Sequence, residues 1–481
     1  MFINGDWIET KQTLDVRNPG SGEVYRTVGL VGKEETLMAI DAAETAFAMW
    51  SKRPAVERAQ FLERVAVSIE ERKEMLAQVI CSEMGKPIAN ARGEVAKSAT
   101  FFKWFAEEAR RVYGETIPSA EAGKRLHVIK QPLGVVGAIT PWNFPLSMIA
   151  RKLAPALAAG CTVVLRPSSQ APCSAIELLK IIAEVGVPKG VVNLIIGPAS
   201  ELSNTMMESR TIKKISFTGS TEVGKKLIRD SAQTVKRLSM ELGGHAPFIV
   251  FNDADLDLAV KGALTIKFNS SGQQCVCANR IYIQDDIYDA FETRFLEKVK
   301  ALKVGNGFEE GSRIGPLINH DAVQKVDEQV QDARKKGATV KIGGRKLTEG
   351  KYANGAYYEP TVLTDVKEGM DILVHETFGP VAPLMRFSTE EEVIAKANHL
   401  EFGLASYAYT NDLSRMYRLS EQLEYGIVGI NDPTPSTVEA PFGGLKESGL
   451  GREGGHGIDE YVEEKFISVA IKVYSSDGDQ Q

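Results

Sequence analysis

Gly134-Val135-Val136-Gly137-Ala138-Ile139 is a short β-branched run, and it opens the series that decides the fold. Thr162 to Leu165, Val191 to Ile195, Lys214 to Phe217 and Phe248 to Phe251 repeat its character, with helix-length stretches alternating between them. Such alternation predicts a parallel sheet covered by helices on both faces. Upstream, Ala, Glu, Arg and Leu dominate Lys33 to Ala48, Ala55 to Cys81 and Ala91 to Tyr113, with apolar residues three and four apart. Residues 34 to 112 therefore read as a helical prelude. Downstream, a second alternating series starts near Ala254 and runs through Ile281 to Gln284, Thr339 to Ile342, Leu384 to Phe387, Ala405 to Tyr409 and Ile427 to Ile430. It implies a second α/β domain. The late β-type run Lys465 to Tyr474, ahead of the polar tail Ser475 to Gln481, is expected to pair with another subunit.

Composition narrows the function. The 481 residues are 43% hydrophobic, enough for a large core and two or three domains. A charged fraction of 25% with a formal net charge of -6 offers no basic field for nucleic acid or an anionic membrane, and neither is expected as a partner. Met1 to Thr10 carries Asp6 and Glu9 and lacks a basic segment ahead of an apolar run, so no secretory leader is expected. The apolar stretch Leu153 to Leu165 is interrupted by Pro155 and is too short to span a bilayer. The expectation is a cytoplasmic protein. Five cysteines without zinc-type pairing and six scattered histidines make both structural disulfides and a metal site unexpected.

The chemistry starts at Phe268-Asn269-Ser270-Ser271-Gly272-Gln273-Gln274-Cys275-Val276-Cys277. A cysteine is ordinarily an inert core residue, but the polar stretch before Cys275 breaks the helical pattern and places its thiol on a reachable loop. Cys277 reads either as a small buried filler or as a resolving thiol. A working thiolate needs a base and an oxyanion donor. Asn143, in Thr140-Pro141-Trp142-Asn143-Phe144-Pro145, and Glu241, before Leu242-Gly243-Gly244, both follow β-type runs. Residues just beyond strand carboxyl ends converge on a crevice. Alone, such an Asn is a turn residue and such a Glu a solvated loop residue; with Cys275 they form a set. Gly449-Leu450-Gly451-Arg452-Glu453-Gly454 has the letters of a dinucleotide fingerprint but no strand before it and no acidic residue at the right distance after it. Phe217 to Gly224 is the better phosphate site, because a β run ends at Gly219-Ser220 and a helix begins there.

Six motifs stand in order along the chain: Pro141-Trp142-Asn143-Phe144-Pro145, Phe217-Thr218-Gly219-Ser220-Thr221-Glu222-Val223-Gly224, Glu241-Leu242-Gly243-Gly244, Gly272-Gln273-Gln274-Cys275, Glu376-Thr377-Phe378-Gly379-Pro380 and Pro441-Phe442-Gly443-Gly444. Together they resemble the NAD(P)-dependent aldehyde dehydrogenase superfamily. The resemblance implies an α/β protein with a Rossmann-like cofactor domain (1–117 and 134–244), an α/β catalytic domain (245–447) and a small β oligomerisation arm (118–133 and 460–481), assembled as a homodimer or homotetramer. It implies Cys275 as nucleophile toward a small-molecule aldehyde, Asn143 as oxyanion donor and Glu241 as the base that hydrolyses the thioester. That Glu argues against the CoA-acylating branch. A non-catalytic protein on the same fold would be expected to lose the nucleophile or the base, and Cys275, Glu241 and Asn143 are all present.

The cofactor, NADP or NAD, would contact Ile139, Thr140, Pro141, Trp142, Phe217, Gly219, Ser220, Val223 and Leu242, with Glu376 and Phe378 at the nicotinamide ribose and ring. Ribose selection would fall on Arg166-Pro167-Ser168-Ser169, with Ser168 and Ser169 beside the cation of Arg166. NAD-preferring relatives commonly have Lys first and Glu last here. Ser169 removes the repulsion of a 2′-phosphate and Arg166 keeps a positive charge, so NADP is expected to be accepted and even preferred. For substrate, a helix starting near Pro145 would put Phe144, Met148 and Arg151 on one face lining a tunnel to Cys275. Arg151 points to a polar or anionic aldehyde, as in succinate-semialdehyde dehydrogenases, which also show Cys275-Val276-Cys277-Ala278-Asn279-Arg280. Asn269 stands where that subgroup usually has a second Arg, so a short hydroxyaldehyde (lactaldehyde or glycolaldehyde) stays open. Ser436, Thr437 and Phe442 complete the expected substrate contacts.

Overall fold

The computed structural model describes residues 1–472. Strands Val135–Ile139, Thr162–Arg166, Val192–Leu194, Ile212–Thr218 and Arg237–Glu241 run parallel to their neighbours. In space the third, second, first, fourth and fifth of them follow one another. This is the order of a doubly wound dinucleotide-binding sheet, whose crevice opens where the order reverses, between Val135–Ile139 and Ile212–Thr218. Short strands add antiparallel edges: Phe2–Ile3 beside Val192–Leu194, and Gly449–Leu450 beside Arg237–Glu241. The glycine-rich stretch near the C-terminus is thus no dinucleotide fingerprint, but it braces the strand that carries Glu241.

Helix Ser147–Ala159 is buried along its whole length, because it lies under the helical prelude and beside the strands it follows. The prelude has four helices, Lys33–Trp50, Ala55–Glu71, Lys73–Met84 and Ile88–Glu108. The single helix expected over Ala55 to Cys81 is broken at Arg72, whose φ of -101° and ψ of 18° leave the helical region. A hairpin, Gln12–Arg17 with Val24–Leu30, precedes the prelude; the polar alternation that encodes it gave no strand expectation.

The second sheet has the order Thr339–Ile342, Thr361–Thr364, Val381–Phe387, Ala278–Gln284, Ala246–Val250, Ala405–Tyr409, Ile427–Ile430, with only its first pair antiparallel. The run Phe248 to Phe251, assigned above to the first series, belongs here, paired with Ala278–Gln284 and Ala405–Tyr409. Strands buried on both faces share one composition, so alternation along the chain does not say which sheet a strand joins. Its period-two pattern divides cleanly: Phe248 and Val250 enter one core cluster, Ile249 and Phe251 the other.

A three-stranded antiparallel sheet joins Val462–Ala470, Lys124–Pro132 and Glu115–Ile117. The late strand pairs within its own chain with Lys124–Pro132 over its whole length and forms the outer edge of this sheet, leaving its other edge unpaired among the described residues. Glu115–Ile117, just ahead of the expected boundary after residue 117, pairs with Lys124–Pro132 in this sheet. Val473, Tyr474 and the polar tail lie outside the described residues. Among the described residues, no helix is long and apolar enough to cross a membrane.

Candidate active site

The loop of the nucleophile candidate is strained and then held. After helix Leu256–Phe268, the residues Ser270, Ser271 and Gly272 take φ values of 49°, 59° and 76°. Left-handed conformations cost about 1–3 kcal/mol each at non-glycine positions, so the surroundings must impose them. Ser271 Oγ donates to the Gly315 carbonyl at 3.0 Å, and Gln273 Nε2 to those of Ser270 and Pro316 at 3.3 and 3.4 Å. Gln273 Oε1 accepts from Ile318 N–H at 2.9 Å, and Gln274 Nε2 donates to the Ile266 carbonyl at 2.7 Å. A Cβ on Gly272 would run into the Gly379 carbonyl oxygen, so the motif glycine is sterically required. The loop leaves Cys275 half-buried, just before strand Ala278–Gln284, while Cys277 is fully buried and donates to the Lys267 carbonyl at 3.5 Å.

Asn143 sits between strand Val135–Ile139 and helix Ser147–Ala159, which starts two residues after the expected Pro145. Its Nδ2 donates to the Gln273 carbonyl at 3.1 Å, joining the first sheet's crevice to the Cys275 loop. A fully buried ion pair, Lys86 with Glu94 at 2.6 Å, holds it from beneath. Lys86 Nζ donates to the Asn143 carbonyl at 2.8 Å and lies 3.9 Å from the Phe144 ring centroid. Glu94 Oε1 accepts from Leu146 and Ser147 N–H at 2.9 and 3.1 Å, an anion at the N-terminus of helix Ser147–Ala159.

Glu241 is the last residue of strand Arg237–Glu241 and is 3% exposed, and neither of its carboxylate oxygens has a hydrogen-bond partner. Burial raises its pKa well above the usual carboxylate range; Glu453 adds to the rise, and Lys152, Arg151 and Arg452 oppose it. Glu453 is itself held by Lys152 at 2.7 Å and Arg151 at 3.5 Å. Burial also pushes the Cys275 thiol up to about 12, with Glu376 adding and Arg151 opposing. A Cβ on Gly244 would meet the Cys275 carbonyl oxygen, which shows how closely the Glu241 loop and the Cys275 loop approach.

Two cavities meet at Cys275 and Met148. The first, about 250 Å³, is the crevice at the switch point. Pro141, Trp142, Gly219, Ser220 and Leu242 line it from the first sheet, and Glu376 and Phe378 from the second. Ser220 caps helix Thr221–Ser231 by accepting from Val223 N–H at 3.4 Å. Glu376 Oε1 accepts from Gly244 N–H at 3.1 Å, and burial pushes its carboxyl up to about 7. The Phe378 ring meets Trp142 edge-on at 5.5 Å. Ile139, Thr140, Arg166, Ser168, Ser169, Phe217 and Val223 do not line this cavity. Ile139 and Phe217 are buried within the sheet, Val223 is exposed, and Arg166 to Ser169 continue the neighbouring strand along the same carboxyl edge. Thr140 N–H donates to the Arg166 carbonyl at 3.1 Å, tying the two places together. The hydroxyls of Thr140 and Thr218 and the Nε of Arg166 are buried without partners along that edge. An edge with free donors, a capped helix N-terminus and an aromatic wall fits a dinucleotide. Lys325, Thr218 and Thr377 also line the crevice; Lys325 lies on helix His320–Lys335, where a lysine carries no sequence signal.

The second cavity, about 310 Å³, is lined by Phe144, Arg151, Asn269, Ser436 and Phe442 and ends at Cys275. Thr437 is exposed and does not line it. Arg151 is 3% exposed, with its guanidinium 3.9 Å from the Phe442 ring centroid and Nη2 donating to Ser436 Oγ at 3.2 Å. Asn269 accepts from Asn90 Nδ2. Lys97, absent from the sequence expectation, reaches in from the prelude. Among the described residues no group of three or more His, Cys, Asp or Glu side chains is placed to hold a metal ion.

This arrangement, a thiol between a dinucleotide-shaped crevice and a second cavity with a buried carboxylate nearby, has close counterparts. The chain is 51% identical to the glutarate-semialdehyde dehydrogenase of Pseudomonas putida over 98% of its own length and 97% of the relative's. It is 50% identical to the NADP(+) succinate-semialdehyde dehydrogenase of Escherichia coli, with 98% and 97% covered. The crystal structure of succinate-semialdehyde dehydrogenase from Burkholderia pseudomallei superposes with a TM-score of 0.96 at 48% identity, covering 98% of this chain and 97% of that one. With residues 7–467 matching the model of the aldehyde dehydrogenase family, the chain belongs to that family and is an NAD(P)-dependent oxidoreductase of aldehydes.

Proposed function

We propose that the protein oxidises a short aldehyde with a distal carboxylate, succinate semialdehyde first, to the dicarboxylic acid. The observation that carries this reading is Arg151: a buried guanidinium lining the second cavity, with Nε lacking a partner and Nη1 lacking a hydrogen bond, although Glu453 stands 3.5 Å from it. A buried cation of this kind favours an anionic ligand, which it can bind through charge-assisted bonds. The two curated relatives are named for semialdehydes that differ by one methylene, so charge rather than length is what they share. A lactaldehyde-type substrate offers Arg151 no charge.

In this reading the Cys275 thiolate bonds to the aldehyde carbon, and the electron pair of the C=O bond moves to oxygen. Asn143 Nδ2, with one N–H free beyond its bond to Gln273, and the Cys275 backbone N–H receive that oxyanion. Bound NAD or NADP supplies the hydride acceptor, and the substrate carbon is left as a thioester on Cys275. Glu241 takes a proton from water, the hydroxide displaces the thiolate, and the acid leaves. The unpartnered, raised carboxyl of Glu241 supports a base of this kind.

The substrate reading is tested by comparing succinate semialdehyde with an uncharged aldehyde of equal length. Arg151→Leu is expected to raise KM for the charged substrate about 10- to 100-fold, the worth of a charge-assisted hydrogen bond, and to change KM for the uncharged one far less. Equal catalytic efficiencies in the parent would discard the carboxylate role. For the cofactor, Arg166 with Ser169 supports use of NADP. Ser169→Glu is expected to lower kcat/KM for NADP about tenfold or more through like-charge repulsion while sparing NAD; strict NAD dependence of the parent, unaltered in the variant, is the contrary result. Exposed apolar side chains on the arm, Phe466 at 60% and Val469 at 42%, support a homodimer or homotetramer. A cytoplasmic location accompanies this reading.

A further inference from the structure

We infer that Lys97 supplies the second cation of the substrate cavity, gripping the distal carboxylate together with Arg151 and Ser436 where Asn269 leaves no arginine; the inference rests on the semialdehyde reading above. Lys97 lies on helix Ile88–Glu108 on the face that also presents Asn90 and Glu94 to the cavity. Its Nζ donates to the Ser436 carbonyl at 2.9 Å and to Ser436 Oγ at 3.2 Å. Arg151 Nη2 approaches the same Oγ at 3.2 Å. One hydroxyl thus sits between two cations.

Among the described residues no carboxylate lies within ion-pair distance of Lys97. Glu94 is committed to Lys86 and to the backbone of Leu146 and Ser147, and Glu439 is exposed to solvent. Arg151 shares Glu453 at 3.5 Å while Lys97 has no carboxylate, so the two cations repel each other across Ser436, and a carboxylate entering there can accept from Lys97, Arg151 and the Ser436 hydroxyl at once. Asn90 and Asn269 line the same cavity as a neutral amide pair and add no charge to it. Burial, then the charge of Arg151, lowers the Lys97 ammonium to about 8, while Glu439 and the Cys275 thiol oppose the shift. The grip therefore weakens as pH climbs past that value and the ammonium loses its proton.

The test is steady-state kinetics of the purified full chain on succinate semialdehyde and on butanal. Lys97→Met is expected to raise KM for succinate semialdehyde about 10- to 100-fold, with kcat near the parent's and butanal kinetics unmoved, which also shows that the variant folds. Lys97→Arg should retain most of the affinity and lose the alkaline rise in KM, and Lys97→Met combined with Asn269→Arg should recover affinity. Equal KM changes for both aldehydes in Lys97→Met, or no change while the parent still prefers the charged aldehyde, would overturn the role of Lys97 alone. A parent that treats both aldehydes equally would overturn the substrate reading and the inference with it.

Discussion

Replacing Cys275 by alanine is expected to lower kcat on the order of 10⁴-fold or more, because without the thiolate no covalent path to hydride transfer exists. Cofactor binding should persist, since the crevice is built by Pro141, Trp142, Gly219, Ser220, Glu376 and Phe378 rather than by the thiol. Trp142 lies in the crevice, so quenching of tryptophan fluorescence by added cofactor measures this directly. The pH dependence has a definite sign. The thiol of the free protein is pushed up to about 12 by burial, so the thiolate fraction grows as pH rises, and alkylation of Cys275 by iodoacetamide should accelerate with pH across the neutral range. A rate independent of pH would contradict the burial that the structure gives this side chain.

Glu241→Gln is expected to separate the two halves of the reaction. The substitution keeps the shape of a side chain whose oxygens have no protein partner, so the fold has no bond to lose. Attack and hydride transfer should proceed once, giving a burst of about one reduced cofactor per active site, while turnover falls about 10²- to 10⁴-fold for want of a general base. In the parent the carboxyl must lose its proton to act, and its raised pKa moves the acid limb of kcat up in pH. That limb should vanish in the variant. Loss of the burst along with turnover would instead assign Glu241 to the first half of the reaction.

Strands buried on both faces announce themselves by continuous β-branched composition, which is why Val135–Ile139, Thr162–Arg166 and Ala405–Tyr409 were legible from residues alone. Which sheet a strand joins is a long-range fact, and Phe248 shows the cost, since its neighbours in space come from residues 278–284 and 405–409. Cys275, Asn143 and Glu241 stand out in the sequence because reactive residue types sit there in or beside short polar or glycine-bearing motifs. The site was not legible at Lys86, Glu94 and Lys97. These lie in or beside the helical prelude, where Lys and Glu at helical spacing are indistinguishable from a solvated face until the prelude docks on helix Ser147–Ala159. Ser436 and Thr437 are adjacent in sequence, yet only Ser436 lines the cavity while Thr437 is exposed, a difference that residue type does not encode.

The most direct test of a covalent, hydrolytic dehydrogenase is mass spectrometry of Glu241→Gln after mixing with succinate semialdehyde and NADP or NAD. The account predicts a peptide containing Cys275 that has gained a succinyl group, in amount equal to the reduced cofactor formed. Reduced cofactor without an adduct, or an adduct on Cys277 or elsewhere, would contradict it.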